Sequence, residues 1–448
     1  MASECAPNSS LNITKPEPSK ERRKPKRPLP KTVPDEILND PILNKNIEES
    51  ALPKNYNFEL HKTVHRIQKC QATRVAMQMP EGLLLFACQI MEILEETCPG
   101  VEFVILGNVA YGACCIDDFA AGALDCDLLI HYGHSCLVPI TETTRTKNVL
   151  YVFVDIKIDA IHFIESVEQN FKIDKTALIP FGLNADEIKN IALCGTIQFA
   201  TTLQTCAKEL EEREIFNKVI LPQARPLSKG EVLGCTSPKI ADDIDLILFI
   251  SDGRFHIESV MIQNPKLPIF RYNPYDKKFT REHYAHVDMR EARKKVIQEA
   301  KNAKHKNWGL LLSTLGRQGN PKIMEKLLEE SRKAGIILVP ILMAEIQPDK
   351  LAKFENISVF VQIGCPRLSI DWGPDTVKKP LLTPYEAMIA MEGIAEPSWI
   401  RDQNNIDTSY PMDFYSNDSE GPWTNNHELN RPMRRKPGAN KMRPVVNI

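Results

Sequence analysis

The order of strands and helices in this chain repeats three times, and that repetition restricts the fold more than any single residue does. In the first copy, residues 74–79 read as a strand, 81–96 as an amphipathic helix and 101–106 as a second strand. A short helix near Phe119, a third strand at 127–132 and a closing strand at 149–154 follow. The second copy runs through a strand at 191–194, a helix at 201–212 and a strand at 218–221, and then 245–250 and 267–272 match the last two strands of the first. The third starts with a strand at 308–312, continues through a helix at 321–334 and a strand at 335–341, and closes with a helix at 349–354 and a strand at 358–363. Strands that alternate with helices predict parallel sheets joined by right-handed crossovers. The expected class is therefore α/β, with three related domains, each a small parallel sheet flanked by helices.

A chain of 448 residues exceeds what one hydrophobic core supports, in keeping with that division. The three units are expected at 66–165, 166–285 and 286–400. Residues 1–65, with the run Glu21-Arg22-Arg23-Lys24-Pro25-Lys26-Arg27-Pro28, read as a flexible basic and proline-rich arm. Residues 401–448, with Asp402-Gln403-Asn404-Asn405 and Arg434-Arg435-Lys436-Pro437, read as a polar flexible tail. The basic run suits a nuclear signal or an RNA-contacting patch, although a solvated charge run is the commoner meaning of such a stretch.

Charge narrows the function classes. The 56 Lys and Arg residues face 58 Asp and Glu residues, so no global positive field calls for nucleic acid or anionic membrane. The first residues lack the apolar core of a signal peptide, and the longest apolar stretch, at 335–346, is too short to span a bilayer and contains a proline. A cytoplasmic location is expected, with the nucleus as a second address. Thiols stay reduced there, so the 12 cysteines are buried small hydrophobes or ligands rather than a disulfide framework, and the Asn-X-Ser/Thr sequons carry little meaning.

Three loops carry a glycine close before a cysteine: Gly112-Ala113-Cys114-Cys115, Gly234-Cys235-Thr236-Ser237-Pro238 and Gly364-Cys365-Pro366. A lone cysteine is most often a buried small side chain. Three at strand ends of related units sit where α/β sheets place their ligands. The first two loops follow the second strand of their units, whereas Cys365 follows a later strand, so the third copy is imperfect. No C-x2-C pair exists for structural zinc, no C-x3-C-x2-C run marks the ordinary radical S-adenosylmethionine motif, and no G-x4-GK[ST] phosphate loop is present. Three separate thiolates at a domain junction suit a cubane iron–sulfur cluster with one iron left without a protein ligand. Spacing leaves Cys114 and Cys115 both open as the first ligand. His131-Tyr132-Gly133-His134-Ser135-Cys136 has metal-ligand chemistry too, but histidines three apart on extended chain face opposite sides, which favours a pocket-lining turn. Cys115, Cys126 and Cys136 have similarly plain readings as small buried side chains.

Several of these stretches together resemble the diphthamide-synthesis family. They are Tyr111-Gly112-Ala113-Cys114-Cys115-Ile116-Asp117-Asp118, 131–139, Pro226-Leu227-Ser228 through Pro238, 364–373, and Pro380-Leu381-Leu382-Thr383-Pro384-Tyr385-Glu386-Ala387. The resemblance spans about 70–395 and is strongest to the eukaryotic first-subunit branch. It implies three domains of one α/β fold, meeting at a central site where each donates a cysteine to a [4Fe-4S] cluster: Cys114, Cys235 and Cys365. It further implies S-adenosylmethionine at the open iron, one-electron cleavage of its sulfur to γ-carbon bond, and transfer of the 3-amino-3-carboxypropyl group to C2 of a histidine in translation elongation factor 2. That is the first step of diphthamide formation. The implied partners are a homologous second subunit in a heterodimer and a small metal-binding protein that donates electrons. Asn108 and Ala110 depart from the family's Gly-Asp-Val-Thr-Tyr-Gly, which bears on local loop contacts rather than on the ligands.

Glycines at 82, 112, 234 and 364 would let backbone approach a bulky cluster and nucleotide. A helix beginning after Met79-Pro80-Glu81-Gly82 would aim its amides at the same end of the sheet, which makes Pro80, Glu81 and Gly82 candidates for the methionine carboxylate of S-adenosylmethionine. Pro80 also simply starts a helix, and the two roles are compatible. Two competing functions remain at this level: a non-catalytic scaffold held together by a cluster or zinc, and a nucleotide-binding sensor.

Overall fold

The β-branched runs of the sequence become the inner strands of three separate sheets. The computed structural model describes residues 33–107, 116–134, 146, 148–314, 319–372, 378–401, 408–419, 421–424 and 427. A short strand β1 (Tyr56–Asn57) leads into the first sheet, made of β2 (Arg74–Gln78), β3 (Glu102–Leu106), β4 (Leu128–Tyr132) and β5 (Asn148–Val152) in the order β3-β2-β4-β5. All three pairings are parallel. Strand β6 (Asp155–Ile156) then returns to pair antiparallel with β1.

The second sheet contains β7 (Asn190–Gly195), β8 (Lys218–Ile220), β9 (Leu246–Ile250), β10 (Ile269–Asn273) and β11 (Lys278–Glu282), ordered β11-β10-β9-β7-β8. Only its hairpin strand β11 is antiparallel. The third contains β12 (Trp308–Ser313), β13 (Leu338–Met343), β14 (Val359–Ile363) and β15 (Leu381–Leu382), ordered β13-β12-β14-β15 and parallel throughout. Counted within each unit, the parallel strands lie in the order 2-1-3-4 every time. Connections diverge on either side of the first strand, and the crevice at its carboxyl end is where such sheets bind ligands.

Burial on both faces explains why the strands read as unbroken apolar runs rather than alternating ones. Every residue of β4, β9, β12 and β14 is buried. The flanking helices have local causes. Asp117 accepts a hydrogen bond from the Ala120 amide and so starts helix Asp118–Ala123. Asn320 caps Pro321–Lys333, which has proline in its first turn and Arg332 and Lys333 in its last, where cations suit the dipole. Thr383 and Glu386 form a capping box at Pro384–Ala390.

Three expectations differ from what the chain does. The helix anticipated at 81–96 is two pieces, Glu81–Leu84 and Ala87–Thr97. At the junction the Phe86 amide bonds back to Leu83 O, a tighter three-residue turn, and its ring meets Phe58 at 5.5 Å. The supposed flexible arm is ordered over its described part. Helices Pro41–Glu49 and Leu60–Cys70 bury Leu43, Leu60, Val64 and Ile67 beside the first sheet. The spacing of Leu60, Val64 and Ile67 at i, i+4 and i+7 is an amphipathic stripe that the surrounding charge obscured. The supposed polar tail likewise buries Tyr410, Met412, Phe414 and Tyr415 in the core joining the second and third units. Tyr410, Met412 and Phe414 alternate at i, i+2 and i+4, an extended-chain signal of only six residues that the polar stretches on either side outweigh. Helices Ala160–Glu168, Phe255–Gln263 and His286–Asn302 also went unread.

Candidate metal centre

Each cysteine loop follows a β-strand in the chain, and a different set of polar contacts fixes each one. In the first unit Gln78, the last residue of β2, accepts a hydrogen bond from the Asp117 amide at 2.9 Å and lies 3.1 Å from His131 Nδ1 at the end of β4. The return of the loop is therefore tied to two strand ends, and burial raises the Asp117 carboxyl above its ordinary value. Cys114, Cys115 and Cys136, with Asn108, Ala110 and Gly112, lie outside the described residues. Cys126 is buried in the small core behind this sheet, as its plain reading required.

The second loop is a tight turn. Leu233 and Thr236 exchange backbone hydrogen bonds of 2.9 and 3.2 Å, and the Thr236 hydroxyl donates to the Cys235 sulfur at 3.7 Å. A Cβ added at Gly234 would fall 2.1 Å from the Phe255 ring, so glycine lets this half-exposed ring lie directly on the turn, and any side chain would have to push it aside. The chain's C-terminal segment braces the other side, where the Ser237 amide donates to Met412 O at 2.7 Å.

Cys365 stands at the N-cap of helix Pro366–Asp371, directly after β14. The Gln362 amide donates to Cys365 O at 2.8 Å and to Ser369 Oγ at 3.1 Å, pinning the loop to its own strand. Burial pushes the Cys365 thiol up, and the amide and guanidinium of Arg367 oppose that shift. Arg367 in turn reaches the second unit: it donates to Phe255 O at 2.7 Å and to Glu258 Oε2 at 2.6 Å.

Cys235 belongs to the apolar core that joins the second and third units, and Cys365 packs against the same core. Both remain thiols. Among the described residues no three metal-binding side chains converge, so a three-cysteine site requires the first loop as well. The donors that are described fit an iron–sulfur cluster: soft sulfur ligands on separate rigid elements, with few competing oxygen or nitrogen ligands.

Beside this region a cavity of about 310 Å³ opens between the first and second units. Pro80 and Gly82 line it, together with Tyr56, His134, Asp252, His256 and Tyr275, whereas the exposed Glu81 does not. Glu81–Leu84 is a single turn, so the dipole expected of a long helix at Pro80 is largely absent. His134 takes the pocket-lining position anticipated for its turn. His256 faces it, ring centres 6.3 Å apart, and burial followed by the neighbouring His134 lowers its pKa to about 3. The Tyr56 and Tyr275 hydroxyls meet at 3.4 Å. Tyr56, Asp252, His256 and Tyr275 lie outside any motif in the sequence; the nearest signal for a role of Arg367 was its place two residues after Cys365.

The family model for diphthamide synthesis proteins matches residues 79–403. The chain belongs to the diphthamide synthesis family. Among its relatives, the Gallus gallus 2-(3-amino-3-carboxypropyl)histidine synthase subunit 1 is 49% identical over 407 residues, covering 91% of each chain. The Homo sapiens protein of the same name is 49% identical over 409 residues, 91% of this chain and 86% of that one. The fold is shared with Dph2 from Pyrococcus horikoshii, at a TM-score of 0.61 and 26% identity over 76% of this chain and 92% of that one. A second structure of that protein, with a 4Fe-4S cluster, gives a TM-score of 0.59 at 24% identity, over 80% of this chain and 97% of that one. The relatives' name is that of a synthase, and "subunit 1" describes a component of a larger enzyme. No described helix is long and apolar enough to cross a membrane.

Proposed function

We propose that this chain is the catalytic subunit of the transferase that opens diphthamide synthesis, moving the 3-amino-3-carboxypropyl group of S-adenosylmethionine to a histidine of translation elongation factor 2. Cys114, Cys235 and Cys365 would hold its [4Fe-4S] cluster. The observation that carries this reading is the placement of Cys235, in the loop after β8, and Cys365, two residues after β14, both packed on one apolar core. The names of the relatives support the reaction class, and the 4Fe-4S cluster in one structure of the fold neighbour supports the cofactor. When bound, the cluster would supply the electron that breaks the sulfur to γ-carbon bond.

The chain's own residues have definable tasks. The apolar surroundings of the buried Cys235 keep water from its sulfur. Pro80 and Gly82 shape the cavity wall for S-adenosylmethionine. His256 is neutral at pH 7, so it places no positive charge against a sulfonium, while the Asp252 carboxylate at the cavity edge can accept a hydrogen bond from an amine or a ribose hydroxyl.

Under the same proposal the chain pairs with a homologous second subunit, receives electrons from a small metal-binding protein and works in the cytoplasm. The test is anaerobic reconstitution of the full chain with its partner subunit, reduction, and addition of S-adenosylmethionine and the elongation factor. Methylthioadenosine release with alkylation of one histidine is the expected outcome. A loaded, reduced complex that releases no methylthioadenosine overturns the catalytic reading and leaves the scaffold.

A further inference from the structure

The loops of Cys235 and Cys365 belong to different units, yet one side chain connects them. Arg367, 4% exposed, directs each of its three guanidinium nitrogens to a hydrogen-bond acceptor. Nε is held by both oxygens of Asp371 at 2.8 and 3.0 Å, within the helix that Cys365 caps. The other two nitrogens cross to helix Phe255–Gln263 of the second unit, one to Phe255 O at 2.7 Å and one to Glu258 Oε2 at 2.6 Å. The guanidinium carbon also lies 4.4 Å from the centre of the Phe255 ring. That ring occupies the space opened by Gly234, the residue before Cys235.

We propose that Arg367 is a positioning residue for the cluster, fixing the separation of the Cys235 and Cys365 sulfurs by holding the half-exposed Phe255, through its carbonyl and one face of its ring, against the Gly234 turn. The inference rests on the proposed cluster site. Its chemical logic is that a cubane accepts little variation in where its thiolates lie, while two units joined by side-chain packing alone can slide. A planar fork that bonds a carboxylate, a backbone carbonyl and an aromatic face at once removes that freedom. Lysine, a point charge without the fork, cannot make all three contacts. Glu258 is also approached by Arg254 at 3.5 Å, so its charge stays partly offset when Arg367 changes.

The experiment compares the full chain, in complex with its partner subunit, with Arg367→Lys, Glu258→Gln and Phe255→Leu. Circular dichroism and thermal melting establish that each variant is folded. Iron per chain, the EPR spectrum of the reduced cluster and the rate of iron loss to a chelator are then read. Removing a residue that orients a metal ligand lowers metal retention about 10- to 100-fold, and a loss in this range with a shifted EPR signal is expected for Arg367→Lys. A smaller loss is expected for Glu258→Gln, which keeps the side-chain shape. Folded variants whose EPR spectra and chelator resistance equal the wild type's overturn the proposal, whatever happens to their melting temperatures. If Arg367→Lys does not fold, Glu258→Gln and Phe255→Leu decide on the same criteria. A wild-type complex that takes up no iron removes the cluster site itself, which is a separate result.

Discussion

Arg293 and Glu386 form a bidentate ion pair with contacts of 2.7 and 2.6 Å, and their side chains are 2% and 0% exposed. The remaining donors of Arg293 go to Ser369 O at 2.5 Å and Leu381 O at 2.8 Å, and Glu386 also accepts from the Tyr410 hydroxyl and the Thr383 amide, each at 2.9 Å. One pair thereby joins helix His286–Asn302, the helix behind Cys365, a capping box and the C-terminal segment. Breaking it from one side leaves a buried charge alone, so Arg293→Met should cost about 3–5 kcal/mol. Denaturant unfolding measures this, and a loss below about 1 kcal/mol would show that the site relaxes or admits water.

Acid should destabilise the fold through two histidines. Burial lowers His256 to about 3 and His286 to about 4, with His134 and Arg290 as the respective secondary causes. A histidine whose folded value is depressed contributes stability fully above its unfolded value of about 6.5 and loses it as pH falls toward the folded value. Stability should therefore drop between about pH 6.5 and 4, by at most about 1.4 kcal/mol per pH unit for each group. Denaturation midpoints for the wild type and His256→Gln check this: the variant's curve should be the flatter one over that window.

Cysteine replacements separate ligands from packing. Cys114→Ala, Cys235→Ala and Cys365→Ala should each lower iron content after anaerobic reconstitution. Cys194→Ala and Cys206→Ala should not, since burial alone raises the Cys194 thiol and is the main cause that raises Cys206, to about 12, inside the second unit. Equal iron in all five variants would remove the ligand assignment.

Gly234→Ala should displace the Phe255 ring, because the new Cβ would lie 2.1 Å from it. Because Phe255 is 43% exposed its ring can move outward, so the cost should sit near the lower end of the roughly 1–3 kcal/mol of core overpacking. Pairing it with Phe255→Leu should recover part of the loss, and strictly additive unfolding energies would contradict the contact.

The C-terminal segment should behave as part of the core. Tyr410→Phe removes one hydrogen bond to Glu386 and should lower stability by about 1 kcal/mol or somewhat more, given the charged acceptor. Ending the chain at residue 407 also strips Met412 from the Cys235 turn, so the truncated protein should melt well below the point variant. Matching melting temperatures for the truncation and the full chain would restore the reading of this segment as a flexible tail.

The sequence by itself determined the three parallel sheets, because strands buried on both faces leave apolar runs that survive in the linear order, as in Leu246–Ile250. It also singled out the Cys114-Cys115, Cys235 and Cys365 loops, because glycine shortly before cysteine after a strand is a local pattern, whereas the choice of Cys114 over Cys115 came from the family resemblance. Tertiary structure alone decided the contacts that cross between units. Nothing near Phe255 in the chain anticipates Arg367, which lies 112 residues away, or Gly234 beneath its ring. The same holds for Tyr410, Met412, Phe414 and Tyr415, a short apolar cluster between polar stretches that becomes core because the second and third units leave room for it. Periodicity reports burial within an element. Contacts between elements follow from docking geometry, which no single stretch of sequence encodes.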